Sequence, residues 1–284
     1  MKYTLIADSG STKTQWRFVA EDGSFNEVFT QGINPYFMSK EEISALLIVS
    51  FSDKGQRKRV DKLYFYGAGC SHNEQCVIVK SALEMAFPKA DIRVASDLLA
   101  SAKALFGSSK GVACILGTGS NAAVYNGIEF TDTISSLGYI LGDEGSGAYI
   151  GKKIITAFFH NELPLALQKE FQTCYTIQLQ QVLNRVYKQD FPNRYLAGFA
   201  PFAAKNLSDP LIYSLVYEAL HDFVKYQLAS LSFDMQDYKI GFVGSVAFYF
   251  RSVLESIVLK KGYILSGIIA APMDSLVAYH HQNR

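Results

Sequence analysis

Short apolar runs that end in clusters of glycine, serine and threonine recur along this chain, and they set its layout. Residues 3–7 and 15–20 read as strands on either side of the turn Asp8-Ser9-Gly10-Ser11-Thr12-Lys13-Thr14. Glu21-Asp22-Gly23-Ser24 then signals a hairpin into a third strand over 25–30. Gln31-Gly32-Ile33-Asn34-Pro35 breaks the alternation, and Ser39 with Glu42 three residues on forms a capping box for a helix reaching about Ser50. A strand is predicted over 62–66, ending at Gly67-Ala68-Gly69, and a helix over 74–87 that stops before Pro88. A strand over 92–95 and a helix over 98–105 follow. The order is β-β-β-α-β-α-β-α, which predicts a mixed sheet with helices on its faces.

At Ala113 the β-turn-β pattern restarts, with strands over 113–116 and 122–125 around Gly117-Thr118-Gly119-Ser120 and a turn at Asn126-Gly127. The second start resembles the first in layout, which argues for a duplicated core. A long helical section follows, interrupted by Pro164, Pro192, Pro201 and Pro210. A strand over 239–243, Gly244-Ser245 and a helix over 246–260 restore the theme; residues 268–281 read as a strand end, Pro272 and a closing helix. The main hinge falls near residues 106–110.

Composition narrows the partners. The chain has 284 residues, long enough for two α/β domains, with 49% hydrophobic and 19% charged positions, as in a globular protein with a substantial core. Its 27 basic and 26 acidic residues leave a net charge of +1, so there is no basic field for nucleic acid or an anionic membrane, and a small molecule is the expected partner. No apolar run reaches the roughly 18 residues of a membrane helix, and no leader segment is apparent, so a cytoplasmic location is expected. Cys70, Cys76, Cys114 and Cys174 lack metal-ligand spacing and are expected as free thiols. The basic run from Lys54 to Arg59 reads as a solvated loop, and His280-His281 as a frayed tail.

Three segments carry candidate chemistry. The first turn is not a P-loop, because GxxxxGK[ST] would need glycine where Ala7 and Thr12 stand. Its D-x-G-x-T pattern suits Asp8 as a water-mediated Mg²⁺ ligand, Gly10, Ser11 and Thr12 as phosphate holders and Lys13 as a phosphate partner; it suits an ordinary hairpin turn equally. Gly117-Thr118-Gly119-Ser120-Asn121, directly after a buried run, reads as a phosphate cradle, since glycine lets backbone N–H groups come close. Gly142-Asp143-Glu144-Gly145-Ser146-Gly147 opens a helical run, where its acids suit ligand hydroxyls, a cation or the helix dipole.

DSGSTKT, ILGTGSN, GDEGSG and GFVGS, in this order and spacing, resemble the N-acetylglucosamine kinase family. That family lies in the BadF/BadG/BcrA/BcrD group of the sugar kinase/Hsp70/actin superfamily, and the likeness covers nearly the whole chain. It implies an α/β protein of two ribonuclease-H-like domains of the actin and hexokinase type with a nucleotide and sugar cleft between them. The domains are expected at 1–108, completed by 272–284, and at 109–271. It implies ATP and Mg²⁺ as cofactors and an amino sugar, foremost N-acetylglucosamine, phosphorylated at its 6-hydroxyl. Glucosamine or N-acetylmuramic acid kinases are the nearby alternatives, and an ATPase activator of a dehydratase is a more distant one; a homodimer stays open.

Carried over by position, the resemblance makes Asp97 the catalytic acceptor of the sugar proton, although Ser96-Asp97 equally suits the N-cap of the following helix. It makes Thr12 and Thr118 phosphate-turn threonines and sets Gly198, Gly244 and Ser245 along the adenosine. Asn34, Asp143 and the segment Ser136-Leu137-Gly138 become sugar contacts, with Ser120 and Asn121 on the sugar side of their turn. Leu137 and Ser136 depart from the tryptophan and glycine that relatives can carry there, so sugar choice is less firmly implied than kinase chemistry.

Overall fold

A computed structural model of the chain describes residues 2–10 and 12–282; Ser11, expected among the phosphate holders, lies outside them. The chain divides into two compact units, Met1–Gly107 with Pro272–Arg284, and Ser108–Ala271.

The first unit opens with β1 (Tyr3–Ser9), β2 (Lys13–Ala20) and β3 (Phe25–Gln31), an antiparallel meander. Helix α1 (Lys40–Ser50) starts at the expected capping box, with the Ser39 hydroxyl and the Glu42 carboxylate each satisfying the other's backbone N–H. Then come α2 (Lys54–Lys58), β4 (Val60–Gly67), α3 (Asn73–Ala86), β5 (Asp91–Ser96) and α4 (Asp97–Phe106). The strands form one sheet in the order β3-β2-β1-β4-β5, in which β1, β4 and β5 run parallel. One face is closed by α1 and α3 over a core around Trp16, whose ring lies 5.3 Å from Phe51 and 5.8 Å from Phe65. On the other face Ile6, Val19 and Tyr66 pack with Ala100 of α4 and with Met273 and Leu276 of the C-terminal helix.

Two sequence expectations fail here. The basic run is not a solvated loop: α2 forms in it, and Arg57 is buried with its Nη1 donating to the Ala86 carbonyl at 3.0 Å. A carbonyl at the end of a helix has no partner within that helix, and a basic side chain supplies one. His280 is not part of a frayed tail. Its ring stacks on Tyr64 at 3.8 Å between centroids, and its Nε2 lies 2.9 Å from the Tyr66 hydroxyl.

The second unit repeats the scheme with β6 (Gly111–Leu116), β7 (Ser120–Tyr125) and β8 (Phe130–Thr133). The sequence reading missed β8, an edge strand whose residues F-T-D-T carry one large apolar side chain and alternate only between half-buried and exposed. Helices α5 (Gly138–Leu141), α6 (Gly147–Phe159), α7 (Leu165–Tyr175), α8 (Leu179–Tyr187), α9 (Pro192–Ala197), α10 (Ala200–Lys205) and α11 (Pro210–Asp222) follow. A π-helical turn, Phe223–Gln227, continues α11. After β9 (Lys239–Val243) the single expected helix is two, α12 (Ser245–Tyr249) and α13 (Arg251–Lys260), because buried Phe250 turns out of helical geometry between them. Strand β10 (Ile264–Ile269) ends the unit, and α14 (Met273–Gln282) returns to the first. The sheet order β8-β7-β6-β9-β10 matches that of the first unit strand for strand, as the duplicated pattern leads one to expect. The core centres on Phe171, with Phe158, Phe202 and Phe199 rings at 4.6, 5.0 and 5.7 Å.

Candidate active site

In the first unit the parallel register aligns Ser9, Gly67 and Ser96 at the carboxyl ends of β1, β4 and β5. Ligands of open α/β sheets gather at such ends, where loops leave the sheet and carbonyls stop pairing. Asp8 sits one residue before this line and Asp97 one residue after it. Burial pushes the Asp8 carboxyl up to about 7; the charge of nearby Asp97 adds to the rise and Lys13 opposes it. Burial likewise raises Asp97 to about 6, against the Leu98 N–H that donates to its Oδ1 at 2.9 Å. The helix cap is a different residue: the Ser96 hydroxyl accepts the Leu99 N–H, so Asp97 is the first residue of α4 and keeps its second carboxylate oxygen out of the capping.

The turn between β1 and β2 closes through Gly10 N–H to the Lys13 carbonyl at 3.1 Å, and Gly32 N–H donates to the Thr12 carbonyl at 3.0 Å. Thr12 and Lys13 are exposed, with the Lys13 ammonium 5.1 Å from the centre of the Phe29 ring. Asn34 is seated from two sides. Its Oδ1 accepts the Tyr36 N–H at 3.0 Å, and it lies so near Gly69 that a Cβ there would stand 2.9 Å from that oxygen. The residue that anchors this segment was not singled out from sequence. Ser9 Oγ, fully buried, accepts the Ile33 N–H at 3.1 Å and meets the Thr14 hydroxyl at 2.7 Å. A serine at a strand end carries no local signal of such a partner 24 residues away.

In the second unit the turn Gly117-Thr118-Gly119 joins β6 to β7 and closes through Gly117 N–H to the Gly119 carbonyl at 3.0 Å. The start of α6 holds it: Gly147 N–H donates to the Gly117 carbonyl at 2.8 Å and Ala148 N–H to the Thr118 carbonyl at 3.2 Å. These helix-terminal donors are therefore spent on positioning the turn. Beside Gly117, the place a Cβ would take has no heavy atom within 4 Å, so this stretch of backbone is open to a ligand.

Asp143 backs the same turn. It adopts a left-handed backbone (φ 54), and its Oδ1 accepts the Ser120 N–H at 3.2 Å. Burial raises its carboxyl above the usual range; the Ser120 N–H opposes this and the Glu144 charge adds to it. Gln227, from the π-helical turn, donates through Nε2 to Ser120 Oγ and to Glu144 Oε2, each at 2.8 Å. The sequence reading missed it too, although a glutamine inside the apolar run F-V-K-Y-Q-L was a usable signal of a buried polar partner. Asn121 spends its Oδ1 on the Ala122 N–H at 2.8 Å.

Gly244 meets the turn from β9. It has φ +127, and a Cβ on it would stand 2.2 Å from the Leu116 carbonyl oxygen, so only glycine fits. Ser245, the first residue of α12, is exposed beside it. Ala197 also approaches, since a Cβ on Gly147 would lie 3.2 Å from that of Ala197. Gly198 follows as an exposed helix end whose carbonyl accepts the Tyr175 hydroxyl at 3.4 Å. Ser136 and Leu137 are exposed, Leu137 at 60%, and Gly142 N–H donates to the Gly138 carbonyl at 2.9 Å.

The expected residues thus form two groups. Asp8, Gly10, Thr12, Lys13, Asn34 and Asp97 share the carboxyl edge of one sheet. Gly117 to Asn121, Asp143, Gly244 and Ser245 share that of the other. Among the described residues no group of three or more His, Cys, Asp or Glu forms a protein-only metal cage, and no helix is long and apolar enough to cross a membrane.

No protein-family model matches the chain, and no curated protein matches it either. Solved structures do. A protein from Porphyromonas gingivalis, provisionally named an N-acetylglucosamine kinase, is 40% identical, with 99% of each chain covered and a TM-score of 0.92. A second so named, from Chromobacterium violaceum, shares the fold at 18% identity, 99% coverage of both chains and a TM-score of 0.72. MamK, solved as a non-polymerising mutant bound to AMPPNP, shares the fold at 11% identity, covering 99% of this chain and 98% of its own, with a TM-score of 0.55.

Proposed function

Because this chain belongs to the N-acetylglucosamine kinase family, we propose that it transfers a phosphoryl group from ATP to the 6-hydroxyl of an N-acetylated amino sugar, foremost N-acetylglucosamine. The observation that carries the reading is the pair of half-buried carboxyls, Asp8 and Asp97, at the carboxyl ends of parallel strands, each with raised proton affinity.

The residues present fit the two cofactors. The backbone beside Gly117 is open to a phosphate, and so is that of Gly10, where a Cβ would meet nothing nearer than 3.9 Å. Asp8 offers a carboxylate whose neighbour Asp97 adds a second negative charge, a place a divalent cation would relieve; Mg²⁺ needs only one or two carboxylates and keeps its waters. When bound, MgATP supplies the phosphoryl group and neutralises charge on it.

Asp97 takes the proton from the sugar 6-hydroxyl. A base works best when its proton affinity lies near the working pH, and a carboxyl raised to about 6 is closer to that than an ordinary aspartate while still mostly ionised at neutral pH. Thr12, Lys13 and the turn amides of Thr118 and Gly119 hold phosphate oxygens, while the Gly10 and Gly117 N–H groups close their own turns. Gly198, Gly244 and Ser245 line the adenosine. Asn34, Asp143, Ser120, Asn121 and the Ser136-Leu137-Gly138 segment orient the sugar, because phosphoryl transfer depends on positioning more than on covalent chemistry.

The test is ADP release with Mg²⁺ and ATP across N-acetylglucosamine, N-acetylmannosamine, glucosamine, N-acetylmuramic acid and glucose. Turnover with an N-acetylated sugar and formation of its 6-phosphate are expected. ADP release that ignores the sugar, or no turnover with any of them, overturns the reading.

A further inference from the structure

A second polar pocket lies on the face of the first sheet that α4 and α14 cover, among residues that the kinase reading does not use. On β4, Leu63 and Phe65 point into the aromatic core, so Tyr64 and Tyr66 face the other way. Register places Arg93 of edge strand β5 opposite Tyr64. Lys103 reaches in from α4, and Tyr279 and His280 from α14. Together they line a cavity of about 190 Å³. That is smaller than the roughly 300 Å³ at which pockets for drug-sized ligands begin, yet it has room for several waters or one small polyatomic ion.

The charges in this pocket do not balance. The Lys103 ammonium has no carboxylate within 4 Å among the described residues. Its polar neighbour is the Tyr66 hydroxyl at 3.4 Å, and it lies 5.5 and 5.3 Å from the centres of the Tyr66 and Tyr279 rings. Arg93 meets one acid, Asp91, at 3.7 Å on the exposed rim, and its guanidinium lies 5.9 Å from the Tyr64 ring centre. Burial and the Arg93 charge both lower the proton affinity of Lys103. His280 is depressed by burial and then by the same two cations, so it stays neutral at ordinary pH. A half-buried cation facing a second cation is a cost that a bound anion would remove.

The geometry points to an anion site here, one that takes a phosphate group, either as inorganic phosphate or as a small phosphomonoester. A guanidinium offers a planar fork to phosphate oxygens, and an ammonium offers a point charge. The site does not depend on the kinase reading, because none of its residues belongs to either active-site group.

Calorimetric titration of the full chain with inorganic phosphate, and separately with glycerol 3-phosphate, tests it. The same titrations are run on Lys103→Met, Arg93→Leu and Lys205→Met, the last an exposed lysine of the second unit. Saturable binding is expected in the wild type, weakened at least about 10-fold by Lys103→Met and by Arg93→Leu, and unchanged by Lys205→Met. Whichever compound binds tighter identifies the source of the phosphate. Arg93 is exposed on an edge strand, so its variant keeps the fold even if loss of Lys103 disturbs α4. Equal affinity in the wild type and both charge variants, or no saturable binding of either compound, overturns the assignment.

Discussion

Ser9 and Thr14 pair across the first hairpin with their hydroxyl oxygens 2.7 Å apart, and both side chains are fully buried. Ser9 also receives the Ile33 N–H, so one hydroxyl fixes both the hairpin and the segment that presents Asn34. Ser9→Ala leaves Ile33 N–H without its partner and is expected to cost about 1–3 kcal/mol of stability. Chemical denaturation followed by the fluorescence of Trp16, the single tryptophan and a core residue of the same unit, measures this. The sugar KM is expected to rise more than the ATP KM, since Asn34 loses its anchor.

Gly244 tolerates no side chain. Gly244→Ala places a methyl group 2.2 Å from the Leu116 carbonyl oxygen and forces a residue with a Cβ into φ +127. The strained backbone alone is worth about 1–3 kcal/mol, and the clash pushes on the Leu116-Gly117 peptide. Equilibrium binding of an ATP analogue is expected to weaken at least about tenfold while the first unit, read through Trp16, unfolds as in the wild type.

Gln227 links Ser120 to Glu144 at 2.8 Å each. Gln227→Leu keeps much of the volume but strands both partners, an expected loss of about 1–3 kcal/mol. Gln227→Glu instead sets a carboxylate against Glu144, and this like-charge contact is expected to cost more than the apolar replacement. Thermal unfolding separates the variants.

Asp97→Asn keeps shape and the bond to Leu98 N–H but removes the proton acceptor. A fall in kcat of about 10²–10⁴ is expected, with ATP-analogue affinity within about threefold of the wild type. A variant that retains wild-type kcat would show that the base lies elsewhere.

His280 makes acid stability a local measurement. In the unfolded chain its imidazole takes a proton below the ordinary value of 6.5, whereas in the fold it does so only near 3. Between these values the unfolded state holds the extra proton, so stability falls as pH falls, by up to about 1.4 kcal/mol per pH unit from this group. His280→Phe retains a ring against Tyr64 and cannot be protonated. Its unfolding free energy is expected to vary less steeply between pH 6 and pH 4 than that of the wild type.

Local pattern carried far in this chain. The capping box at Ser39 and Glu42, the hairpin at Asp22-Gly23 and the strand–turn–helix units around Asp8 and Gly117 are all set by residues within a few positions of one another. Motif order carried the family as well. Elements with weak local signals were lost: β8, with one large apolar residue, and the break at Phe250, which has neither proline nor glycine beside it.

The sequence by itself determined the two repeated sheets and the acidic and glycine-rich residues at their carboxyl edges, because strand period, caps and turn chemistry are short-range properties. Only the tertiary structure decided what those residues rest on. Ser9 under Asn34, Gln227 behind Ser120, Arg57 on the last turn of α3, and His280 against Tyr64 are contacts between positions 24 to 216 apart in sequence. A polar side chain reads the same along the chain whether it meets water or a buried partner. Packing brings the partner, and with it the energy.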